Sequence, residues 1–335
     1  MQKIHTRLTM LSSLLLFMLL LSACSGNANN SRNVTSAADS KDNVQTSAPS
    51  SSPSAETFAS GKTRKFTDSK GREVEIPVNP QKIVYVGSDP GDLLVLGVKP
   101  IGASLTVIAS QVAYPELLEG IEDVGYPSSP EKILSLNPDL IIFSDWDEKL
   151  LEPLSSIAPT VVIGEGDTYV RLRQIADVLG KQDIAEQKIA DYETDAASVK
   201  EQLKLKLKSG ETATVFLQLG KTLYVMGHQG ISVSLYDMLG FTPNPKVQEL
   251  INQGERFSEI SEEVLPSYSG DVVFVLGDKT NETSSALDGL LNSAIWKSIP
   301  AVKNGQMYYA DSKWNFDDLL TRTRLLEELP KLMAK

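Results

Sequence analysis

The run DIAEQKIADYETDAASVKEQLKLKLK, residues 183–208, contains neither glycine nor proline. As a single helix rising 1.5 Å per residue it spans roughly 39 Å, longer than one small domain has use for. Gly180 is placed to cap a shorter helical stretch at 169–179, and Gly210 stops the long run. On both sides, apolar runs alternate with amphipathic stretches. Before the helix come KIVYVG, DLLVLG, IGAS, PEKILSLNPDLIIF, LLEPLSSI and TVVIG. After it come TATVFLQL, TLYVMG, SVSLYDMLG, SEEVLPSY, DVVFVLG, LLNSAIWKSI, GQMYYA and a last helical stretch at 317–334. Strands that are apolar throughout belong to parallel sheets covered on both faces. The expected fold is α/β: two α/β lobes, 63–182 and 211–335, joined by one long rigid helix at 183–210. RKFTDSKGREVEIP, ahead of the first lobe's strands, has two alternating runs about Asp68–Gly71, a hairpin signal.

The N-terminal part has a different character. Lys3 and Arg7 precede an apolar stretch at 8–21, too short to span a bilayer comfortably. Ser22 and Ala23 then precede Cys24, the one cysteine of the 335 residues. A lone thiol makes no intramolecular disulfide, and with only His5 and His228 in the chain a structural zinc site lacks ligands. Leu21-Ser22-Ala23-Cys24 resembles a bacterial lipobox. That resemblance implies a signal peptide at 1–23, lipidation of Cys24, and a chain held at the extracytoplasmic face of the cell membrane. Residues 24–62 are rich in Ser, Asn, Ala, Thr and Pro and poor in large apolar side chains, a composition that reads as a disordered tether. The formal charge is −11, and losing Lys3 and Arg7 with the leader makes it more negative. Nucleic acid is a poor partner for such a chain.

The two lobes share a phrase: SSPEKILSLNPDLIIF in the first, SEISEEVLPSYSGDVVFV in the second. Together with the lipobox, the long helix and the stretches KIVYVGSDPGDLLVLGVKPIGAS and IWKSIPAVKNGQMYY, the chain resembles solute-binding lipoproteins of the iron–siderophore and cobalamin type. The resemblance covers 65–335. It implies a ligand cleft between the lobes and no catalysis, cofactor or protein-bound metal. It also implies a monomer that delivers a ferric siderophore to a dimeric ABC permease driven by a cytoplasmic ATPase. In that family a glutamate on each lobe docks to permease arginines. Glu131 and Glu263 stand in those places, with Glu262 an alternative to the second. A glutamate there also favours the start of a helix.

Ligands of open α/β sheets bind beyond the strand C-termini. The loops expected there carry Ser88, Asp89, Tyr126, Asp145 and Trp146 in the first lobe. In the second they carry Tyr224, Met226, His228, Arg256, Phe257, Tyr309 and Trp314. From these the expected ligand contacts are Tyr126, Trp146, Tyr224, His228, Arg256, Tyr309 and Trp314. Trp296, in the helical phrase SAIWKSI, is expected to pack away from the cleft, and Arg171 and Arg173 to lie on a solvated helix face. Iron-hydroxamate binders often carry Arg-Gly-Gly where this chain has GHQGISVS, and catecholate binders line the cleft with more basic residues. The siderophore class therefore stays open, with haem and cobalamin as alternative ligands. The chain has no G-x-S-x-G, H-E-x-x-H or Walker motif. A lipoprotein enzyme or a non-transport sensor are the readings of a different class.

Overall fold

The computed structural model describes residues 61–164, 166–206, 210–278 and 280–334. The expected signal peptide, Cys24 and nearly all of the expected tether lie outside the described residues. Strands β1 (Thr63–Thr67) and β2 (Glu73–Pro77) form the expected antiparallel hairpin. Its turn is pinned by the buried Asp68 carboxylate, which accepts from the Lys70 and Arg72 amides and from the Arg72 guanidinium.

The first sheet contains β3 (Ile83–Gly87), β4 (Gly102–Ala103), β5 (Glu122–Asp123), β6 (Leu140–Ser144) and β7 (Thr160–Val162). Its order is β5-β4-β3-β6-β7, and every pair is parallel. The chain winds outward from β3 in one direction, then returns to lay β6 and β7 on the other side. A crevice therefore opens between the C-terminal ends of β3 and β6. Alternation along the strands buries both faces: Ile83, Tyr85, Leu140 and Ile142 join one apolar core, and Val84, Val86, Ile141 and Phe143 join another.

Two helices leave this sheet, Thr168–Leu179 and Gln182–Leu203. Asp167 caps the first by accepting from the Tyr169 and Val170 amides, and Gly180 breaks it at φ 65°. The second is the long connector, and it ends at Leu203 rather than at 210. At 22 residues it spans roughly 33 Å. Ala185, Ile189, Tyr192, Ala196, Val199 and Leu203 make its buried stripe at spacings of three and four. Beyond it, Leu205 is fully exposed.

The second sheet contains β8 (Thr212–Leu219), β9 (Thr222–Met226), β10 (Thr242–Pro243), β11 (Phe257–Glu259), β12 (Val272–Gly277) and β13 (Met307–Asp311). Its order is β11-β9-β8-β12-β13, with β10 beside the start of β8. This sheet is mixed, unlike the first. β8, β12 and β13 run parallel, but β9 folds back antiparallel on β8 and β11 runs antiparallel to β9. The cause is the tight turn at Gly220–Lys221, with Gly220 at φ 54°.

The phrase shared by the two lobes has a shared mechanical role. Asp139 accepts from the Gln81 and Lys82 amides just before β3, and Asp271 accepts from the Thr212 amide and hydroxyl at the start of β8. Each aspartate clips the strand it precedes to its parallel neighbour. Trp296 is buried and meets Phe216 edge-on at 6.3 Å, as its helical setting suggested. The terminal helix, Leu319–Leu332, follows the second sheet but packs chiefly on the connector and on the short helix Gly91–Val95 of the first lobe.

Candidate functional site

A cavity of about 1130 Å³ opens between the lobes. The first sheet reaches it through Gly87, Ser88 and Asp89 after β3 and through Ser144, Asp145 and Trp146 after β6, the two strands flanking the crevice. The helices that follow contribute Arg171, Tyr169, Tyr192 and Lys200. The second lobe contributes His228, Asp237, Met238, Arg256, Phe316, Asp317 and Arg322.

Of the expected contact residues, Tyr126, Trp146, His228 and Arg256 line this cavity. Trp146 is 80% exposed, and its indole N–H donates to the Tyr126 hydroxyl at 3.1 Å, so the two aromatics form one face at the mouth. His228 Nε2 lies 3.1 Å from Asp237 Oδ2, and this hydrogen bond raises the imidazole pKa. Tyr224, Tyr309 and Trp314 are placed elsewhere. Because β9 is antiparallel, the chain reaches His228 at the end of the sheet opposite to the C-termini of β12 and β13. Tyr309 is stranded at that other end, its hydroxyl donating to the Gly277 carbonyl at 3.1 Å. Tyr224 packs edge-on against Phe257 at 5.6 Å. Trp314 is only 6% exposed and belongs to the core.

Arg171 is a larger correction. It is buried, and its Nε donates to Asp92 Oδ2 at 2.6 Å while Nη2 donates to the Asp317 carbonyl at 2.7 Å. Arg173, two residues on, is solvated as expected and pairs with Glu186. Around Arg171 a network ties the first lobe to the segment entering the terminal helix. The Leu319 amide donates to Asp92, the Thr168 hydroxyl to the Asp317 carbonyl, and the Tyr114 hydroxyl to Asp318. Asp318 also caps the terminal helix through the Thr321 amide. Burial, and the neighbouring Asp92 and Asp89 charges, push the Asp318 carboxyl up to about 7. The approach is so close that a Cβ on Gly91 would sit 2.0 Å from Asp318 Oδ1.

Arg322 is the other residue that sequence reasoning missed. Its guanidinium lies 5.4 Å from the Tyr169 ring centroid and 5.1 Å from that of Tyr192. Only the crossing of the terminal helix onto the connector brings it to the cavity.

Glu131 and Glu263 are both exposed and outside the cavity lining. The Ser129 hydroxyl donates to Glu131 at 2.9 Å. Glu131 is held below its usual pKa by its own backbone amide and by Ser129, and Glu263 by Ser261 and its own amide. Among the described residues no group of three or more His, Cys, Asp or Glu is placed to hold a metal ion. No helix of the described residues is long and apolar enough to cross a membrane.

Two α/β lobes, a helical connector and a roomy cleft lined by aromatics and scattered polar groups define a solute-binding protein. The chain belongs to the periplasmic binding protein family, whose model matches residues 83–314. It is 31% identical over 326 residues to the iron(3+)-hydroxamate-binding protein FhuD of Bacillus subtilis, covering 95% of this chain and 96% of that protein. It is 30% identical to the probable siderophore-binding lipoprotein YfiY of Bacillus subtilis, covering 78% of this chain and 84% of that one. Among solved structures it resembles the FhuD protein of S. pseudintermedius with a TM-score of 0.71 at 26% identity, covering 81% of this chain and 98% of the other.

Proposed function

We propose that this protein captures a ferric siderophore of the hydroxamate class outside the cytoplasmic membrane and passes it to an ABC permease. The observation that carries this is the cleft. It is large enough for a wrapped iron complex, its mouth is aromatic, and no metal-ligand cluster stands among its described residues. Iron therefore arrives already chelated. Aromatic side chains offer such a bulky ligand wide contact at low entropic cost. Carboxylates outnumber fixed cations in the lining. That balance suits a ferric tris-hydroxamate core, which carries no net charge, and opposes a strongly anionic tris-catecholate. The likeness to hydroxamate-binding FhuD supports the same class.

In this reading Cys24 carries the lipid anchor, the chain acts as a monomer at the cell membrane, and it performs no catalysis. Glu131 and Glu263 meet the two permease subunits, each ionised and presented from its own lobe outside the cleft. Uptake of radioactive iron as its trihydroxamate complex tests the proposal. Cells bearing the Glu131→Ala, Glu263→Ala double variant should take up iron at a tenth of the normal rate or less, with ligand affinity of the purified variant unchanged. Normal uptake by the double variant would remove the docking assignment. Normal uptake in cells lacking this chain would remove the transport role.

A further inference from the structure

We propose that Arg322 is the recognition residue at the depth of the cleft, donating its guanidinium hydrogen bonds to the iron-ligating oxygens of the bound chelate. This rests on the ferric-hydroxamate reading above and identifies a residue that acts in it. Three arginines line the cavity, and their commitments differ. Arg171 spends its donors on Asp92 and the Asp317 carbonyl. Arg256 is exposed at the rim. Arg322 is only 6% exposed; its guanidinium hydrogen-bonds Tyr192 and feels the Asp317 charge, but its Nε has no hydrogen-bond partner. Asp317, also on the cavity wall, leaves its own Oδ1 unpaired. Leaving a buried donor such as the Arg322 Nε unpaired costs free energy, and a ligand that offers an acceptor recovers it.

The setting also prepares Arg322 for that task. Its guanidinium sits in the corner between the Tyr169 and Tyr192 rings, which meet edge-on at 6.3 Å. One ring comes from the helix after the first sheet and the other from the connector. The planar fork is thus oriented before the ligand enters, and less side-chain entropy is lost on binding. Hydroxamate oxygens bound to iron keep partial negative charge and lone pairs, so they suit a cationic planar donor. The cleft is otherwise rich in acids, and the other buried arginine on its wall, Arg171, is already committed to Asp92, which makes Arg322 a selective element.

The test uses ferrichrome and ferrioxamine B as ferric trihydroxamate probes, titrated into the wild-type chain and into Arg322→Gln and Arg322→Lys. The expected result is a Kd raised 30-fold or more in Arg322→Gln and by a smaller factor in Arg322→Lys. The second readout is the iron–hydroxamate charge-transfer band. Hydrogen bonding to the ligating oxygens should shift it when the wild type binds, and the shift should vanish in Arg322→Gln. A residue that merely props two tyrosines would weaken binding without moving the band of the complex that still forms. If Arg322→Gln does not fold, the band position in Arg322→Lys and its affinity decide. Wild-type binding with unchanged affinity and band position in the variants overturns the role of Arg322 alone. Failure of the wild type to bind either probe overturns the hydroxamate reading, and this inference with it.

Discussion

Arg171 and Arg173 sit two residues apart on one helix and face opposite fates. Arg173 meets Glu186 in solvent, where such a pair contributes about 0–1 kcal/mol. Arg171 is buried against Asp92, which is itself fully buried. Removing Arg171 strands a buried carboxylate, a change that typically costs about 3–5 kcal/mol. Arg171→Ala should therefore lower the urea midpoint sharply, while Arg173→Ala should leave it within error. Equal, small effects from both would mean that the Asp92 pair is not an internal brace. The sequence offered no means of separating the two arginines, because the partners of Arg171 lie 79 and 146 positions away. Asp145 and Trp146 were legible because they follow a buried strand directly and sit in polar loop sequence.

At the scale of elements, the helix–strand alternation was plain, and the repeated phrase marked a real correspondence, with Asp139 and Asp271 clipping matching strands. What escaped was direction. A strand's apolar pattern does not say which way it runs, so the antiparallel return of β9 carried Tyr309 and His228 to opposite ends of one sheet. The terminal helix escaped for a similar reason: its own sequence shows an amphipathic helix but not the lobe it covers. Its junction with the Gly91–Val95 helix depends on the bare backbone at Gly91, where a methyl group would collide with Asp318 and the Tyr114 hydroxyl. Gly91→Ala should destabilise the chain by about 1–3 kcal/mol, the usual range for overpacking. It should also speed amide exchange in the terminal helix ahead of the sheets. Exchange that quickens evenly throughout, or does not change, would argue against a localised junction.

At the scale of the molecule, two features link the lobes: the connector and the terminal helix with its buried polar network. Both resist hinge motion, so ligand binding should close the cleft by only a few degrees, and scattering curves with and without ligand should nearly superimpose. A clear drop in radius of gyration on binding would contradict this. The network also sets a pH dependence. The folded pKa of Asp318, about 7, exceeds the ordinary carboxylate value of 3.8. Its folded state thus favours the protonated form, and the stability this confers is complete at low pH and is lost as pH rises toward 7. His228, raised by Asp237, acts in the same direction. Asp92 and Asp317, buried in the same network, are raised as well. Unfolding free energy should therefore fall as pH rises from 5 to 8, and Asp318→Asn should make that slope shallower. A stability that rises over the interval would refute the assignment.

We propose that the cleft takes iron only as a chelate, and calorimetric titration of the purified chain decides this. A ferric trihydroxamate should bind one to one with a Kd at or below micromolar. The iron-free trihydroxamate should bind at least tenfold more weakly, and ferric tris-catecholate and uncomplexed ferric ion should not saturate the site. Saturable binding of haem or cobalamin with none of any ferric hydroxamate would overturn the assignment of this cleft to ferric hydroxamates.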